Sequence, residues 1–100
     1  MSATVASAIA HAVEAMDRLV ATAEAVDDEW QYVTDLRTVW VARLHAVAAP
    51  RAAEPAPPGS EEAIRTLAED AGAIADPHRA IDWLSTLPQA VLLALGEAPS

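Results

Sequence analysis

Cysteine, lysine, asparagine and phenylalanine are all missing from this 100-residue chain, and glycine occurs only three times. Without cysteine there is no disulfide, no thiolate nucleophile and no cysteine-ligated zinc. So little glycine leaves no glycine-rich loop to cradle a phosphate. The six cations are all arginines and face 15 carboxylates, for a formal charge of −9. A surface of that sign repels both the nucleic-acid backbone and anionic lipid, so neither is expected as a partner. No uncharged apolar run reaches the roughly 18 residues that would suggest a membrane span. The apolar stretch at residues 3–13 has no positive flank and is interrupted by His11 and Glu14. It reads as helix rather than signal peptide, and the expected localisation is cytoplasmic.

What the chain does have is alanine, 25 residues of it, within an apolar fraction of 53%. Alanine favours helix but buries little area per residue, so the core is expected to be thin, with Leu, Val, Ile and three tryptophans supplying its bulk. Rich in Ala and Arg but lacking Lys and Asn, the composition resembles the output of a high-GC genome, as in many actinobacteria. One hundred residues suffice for a single domain without metal or disulfide staples, and no cofactor is expected.

Apolar periodicity places four helices. Val5, Ile9, Ala12, Met16, Leu19, Ala23 and Val26 step by fours and threes, with Val13 and Val20 widening the stripe, an amphipathic pattern roughly 35 Å long. Asp27 or Asp28 is suited to cap a second helix, which carries Val33, Leu36, Trp40, Leu44 and Val47 on one stripe flanked by Trp30 and Val41. That stripe is bulkier than the first, so the second helix is expected to have the heavier core side. Residues 50–59 hold four of the seven prolines and no periodicity, which predicts an extended linker. Ser60 is the expected cap of a third helix burying Ile64, Leu67, Ala71 and Ile74. Asp76 followed by Pro77 marks the start of a fourth. Pro88 removes an amide from that helix and predicts a kink or a break there, and Gly96 suits its C-terminal stop. The fold expected over residues 1–100 is all-α: two antiparallel helical hairpins, 2–49 and 60–96, joined by the 50–59 linker into a four-helix bundle-like domain.

Candidate chemistry is sparse. His11, His45 and His78 form no H-x-x-x-H or E-x-x-H ligand pair, and His78 with Asp82 at i, i+4 reads as a solvated surface pair. The acidic run Asp27, Asp28, Glu29 reads as a helix cap. Trp30, Trp40 and Trp83 are followed two residues on by Tyr32, Ala42 and Ser85, so the Trp-x-Gly turn of actinobacterial helical-hairpin secretion substrates is absent. No nucleophile–base order or paired-carboxylate motif is present, and an enzyme is not expected.

Two features point towards association. The fourth helix is apolar on two faces: Ile81, Leu84, Val91 and Leu95 on one, and Trp83, Leu87, Ala90 and Ala94 on the other. A lone amphipathic helix needs only one such face, so the second is expected to dock on a partner. Arg37 falls inside the apolar stripe of the second helix and must pair with a carboxylate of this chain or another, snorkel past Trp30 or Trp40, or meet a ligand carboxylate or phosphate. The expected function is that of a non-enzymatic interaction or accessory protein, working as a homodimer or as a small subunit of a larger complex. Its interface would comprise Trp83, Leu87, Ala90, Ala94 and Arg37. An alternative is a bundle binding an apolar or anionic small molecule in a pocket of Met16, Trp40 and Leu44 with Arg37 as the polar handle. A third is an acidic inhibitor of a basic partner.

Overall fold

The computed structural model describes residues 4–24 and 30–96, Trp30 through its backbone only. Four α-helices account for most of them: α1 (Val5–Ala23), α2 (Trp30–Ala48), α3 (Ser60–Ala73) and α4 (Pro77–Ala94), with a short 3-10 turn at Ala49–Arg51. No strand is present among the described residues. Val26 and the expected caps Asp27 and Asp28 lie outside them.

The first helix is the hub. It packs against α2, α3 and α4, while α4 in turn contacts α2 and α3 as well. Three neighbours need a broad apolar face, and α1 supplies one by burying Val5, Ala8, Ile9, Ala12, Ala15, Met16, Leu19 and Ala23. The buried face widens on the side of Ala8 and Ala15, not on that of Val13 and Val20, which are half-buried. Side chains as small as alanine let neighbouring helix axes approach closely.

Helix α2 departs from expectation. Among its described side chains only Val33, Leu44 and Ala48 are buried, whereas Leu36, Trp40, Val41 and Val47 are half-exposed at the edge of the core. Bulk in its stripe does not translate into burial because α2 sits at the periphery, packed on α1 and α4. In α3, Ile64 and Ala71 are buried and Leu67 is half-buried, and Ile74, expected within the helix, is buried just past its end as the C-terminal cap residue.

The 50–59 segment is docked to the bundle. A helix leaves its first four amides without intrahelical acceptors. At the start of α1, Val5 donates to the Glu54 carbonyl (3.0 Å), Ala6 to that of Ala52 (3.3 Å), Ala8 to that of Thr4 (3.0 Å), and Ser7 to the Thr4 hydroxyl (3.2 Å). Ala8 to Thr4 is the first bond of the helix itself, whereas the Val5 and Ala6 amides are satisfied by the segment expected to be an extended linker. From the same segment Arg51 donates to the Leu95 carbonyl at the end of α4 (3.1 Å) and lies 3.8 Å from the Glu54 carboxylate.

The helix ends follow local chemistry with one substitution of role. Asp76 caps α4 by accepting from the His78 amide (3.0 Å), with Pro77 in the first turn, and Gly96 takes the left-handed conformation (φ 84°) just past the C-terminus. At α3 the capping position belongs to Gly59 (φ 81°), not Ser60. Ser60 begins the helix, is buried, and its hydroxyl donates to the Pro57 carbonyl at 2.6 Å. Helix α4 runs through Pro88 as one element, so of the kink or break expected there the break does not occur. Two carbonyls near the proline receive side-chain donors, Ser85 from Gln89 (3.0 Å) and Asp82 from Thr86 (3.1 Å).

Candidate functional site

The two-faced pattern of α4 has a cause within the chain. Because α4 contacts α1, α2 and α3, apolar residues on more than one side find partners at home. Leu87 is 1% exposed and belongs to the core alongside Leu84, Val91 and Leu95. Trp83, Ala90 and Ala94 are half-buried, with Trp83 and Ala94 packed against that core. The expected ridge is thus interrupted at its centre. Leu93, outside the ridge, is the large apolar residue that α4 turns outward, at 57% exposed.

Arg37 finds an acceptor in its own chain. Its Nε donates to an Asp17 carboxylate oxygen at 2.5 Å, bridging α2 to α1 at a partly exposed site. Met16 and Leu44 are completely buried and Trp40 is half-buried. The four residues considered as a ligand pocket are therefore divided between core, core edge and an interhelical ion pair. An open groove of about 350 Å³ lies instead on α3, lined by Glu61, Glu62, Arg65, Thr66 and Glu69. All five come from one exposed helix face, and Arg65 is already paired with Glu61 at 3.0 Å. It is solvent between surface side chains, with no second wall.

His11, His45 and His78 are exposed, as is Asp82, and no cluster of three or more His, Asp or Glu suited to a metal ion occurs among the described residues. No helix is long and apolar enough to cross a membrane among those residues.

The exposed apolar surface concentrates on α2. Val39 is 64% and Tyr32 is 54% exposed. With Leu36 and Arg43 they step by 4, 3 and 4 along one side of the helix, and half-buried Trp40 and Val47 continue the strip to the core edge. The Arg43 guanidinium lies over the Trp40 ring, 5.3 Å from its centroid, extending the strip with a flat cation–π contact. Electrostatically α2 is the least acidic of the four helices, followed by α4 with Arg79 balanced by Asp82. Residues 30–48 carry two arginines against one aspartate, whereas residues 60–73 carry four carboxylates against one arginine. The spacing of Tyr32, Leu36, Val39 and Arg43 was present in the sequence, but Leu36 also fits the inward stripe and masks it.

Comparison with protein-family models, with curated proteins and with solved structures finds no match for the chain.

Proposed function

We propose that the chain is a non-enzymatic helical interaction protein of the cytoplasm, acting as a homo-oligomer or as a small subunit of a larger complex. The observation that carries this reading is the outer strip of α2. Tyr32 and Val39 stand more than half-exposed in line with half-buried Leu36 and Trp40, on the least acidic helix of an acidic chain. Contiguous exposed apolar area with aromatic and arginine members matches the make-up of interface cores, where Tyr, Trp and Arg are enriched and acidic residues depleted. Half-buried Trp83 on α4 is a secondary contact of the same kind.

Cross-linking in the cells that make the chain, read by mass, tests the reading. An adduct heavier than the 10.5 kDa chain is expected, and its yield should fall when Tyr32 and Val39 are both changed to Ser. Recovery of the chain only at its own mass under all cross-linking conditions would refute it.

A further inference from the structure

We propose that the turn at residues 51–54 is a clasp that makes the start of α1 and the end of α4 open and close as one unit. The turn is closed by its own backbone, with the Glu54 amide donating to the Arg51 carbonyl at 2.9 Å. Two sets of bonds then converge on it. Its Glu54 and Ala52 carbonyls take the Val5 and Ala6 amides, and Thr4 pairs with Pro55 in an isolated antiparallel bridge, so the backbone of the segment serves α1. The Arg51 side chain serves α4: Nη1 donates to the Leu95 carbonyl at 3.1 Å, while Nε lies 3.8 Å from the Glu54 carboxylate.

Neither helix end can satisfy these groups by itself. Val5 and Ala6 belong to the first turn of α1, where amides have no acceptor within the helix. Leu95 caps the other helix, and Gly96 turns the chain there (φ 84°) with its amide directed back to the Leu93 carbonyl at 3.0 Å. The Leu95 carbonyl therefore lies beyond the reach of the helical ladder, and a guanidinium suits it because the C-terminal end of a helix carries partial negative charge. Val5 and Leu95 are each 1% exposed, so both ends belong to the core. A single four-residue turn thus completes two helix ends that come from opposite extremes of the described chain. Drawing the end of α4 away from Arg51 loosens the turn and with it the acceptors of α1, and loosening α1 acts on α4 in the same way, because coupling between two sites is reciprocal.

Amide hydrogen exchange of the full chain, resolved by residue, tests the clasp, with circular dichroism as the check on folding. In the wild type the amides of Val5, Ala6, Leu95 and Gly96 should share one opening equilibrium, less protected than core amides such as that of Met16. Arg51→Met should lower protection by about fivefold or more at Leu95 and Gly96, and by a similar factor at Val5 and Ala6, although the Arg51 side chain bonds to neither of the latter. Thr4→Ala, which loosens the first turn of α1 through the Ser7 amide, should in return lower protection at Leu95 and Gly96. A change confined to Leu95 and Gly96 in Arg51→Met, or to the start of α1 in Thr4→Ala, would overturn the proposal by showing two ends that fray independently. Four amides as protected as Met16 in the wild type would overturn it as well, since the ends would then open only with the whole domain.

Discussion

Leu87 and Leu93 sit six residues apart on α4, carry the same side chain, and differ in exposure from 1% to 57%. That contrast makes a measurable pair. Truncating Leu87 to alanine removes buried methyl groups and leaves a hole in a helix held by three neighbours, α1, α2 and α3, so that α4 cannot move to close it without losing contacts elsewhere. Core truncations of this type cost about 2–5 kcal/mol, and a value of about 3 kcal/mol is expected for a Leu this fully buried. Leucine and alanine have similar helix propensity, so little is recovered from the backbone. Against a whole-domain stability of roughly 5–15 kcal/mol the variant should still fold. With a urea slope of about 1–1.5 kcal/mol per molar for a chain of this size, its midpoint should fall by roughly 2–3 M. Leu93→Ala should stay within about 0.5 kcal/mol of the parent. Urea titration of the three proteins by circular dichroism decides the matter. A loss below about 1 kcal/mol for Leu87→Ala, or equal losses at both positions, would refute the assignment of Leu87 to the core and return it to an outward ridge.

Gly72 lies exposed near the end of α3, and a methyl group there would meet only an Arg18 guanidinium nitrogen at 4.0 Å. Gly72→Ala should therefore stabilise by about 0.5–1 kcal/mol, read as a higher urea midpoint. Thr4→Ala should cost about 1 kcal/mol by freeing the Ser7 amide, and Thr4→Ser should recover most of it in the same titration. A double-mutant cycle on Asp17 and Arg37 should give a coupling of only about 0.2–1 kcal/mol that shrinks in high salt, because both side chains are partly exposed.

The helices themselves were legible because each periodic stripe is a local pattern. Ile9, Ala12, Met16 and Leu19 in α1, and Ile64 and Ala71 in α3, are buried where their spacing puts them. Asp76 with Pro77, and Gly96, are equally local signals and act as read. What periodicity does not carry is the number of neighbours each helix has. Periodicity turns Leu87 outward and Leu36 and Trp40 inward because a stripe reports an apolar direction, whereas α4 contacts three helices and α2 lies at the edge. The hydrogen bonds from residues 5 and 6 to residues 52 and 54 were similarly invisible, since backbone carbonyls carry no sequence label. Ser60 lost the capping position to Gly59 by a single residue, the usual scale of uncertainty at a helix end. The exposed strip at Tyr32, Leu36 and Val39 needed the burial pattern before it could be separated from the inward stripe.

The central position of α1 also sets an order of events during synthesis. Of the four helices, the earliest in the chain makes extensive contacts with the later two, α3 and α4, and its opening turn takes acceptors from Ala52 and Glu54. A nascent chain that has emerged only through α2 therefore holds an Ala-rich helix with most of its intended cover still inside the ribosome. Completion of the native packing waits for α4, and Arg51 cannot reach the Leu95 carbonyl until residue 95 has been made. For an all-helical protein these are contacts of long sequence separation, which slow folding relative to bundles whose consecutive helices suffice for one another. Folding of this chain is accordingly a late, collective step, and a fragment ending before residue 60 should populate helix without a fixed tertiary arrangement.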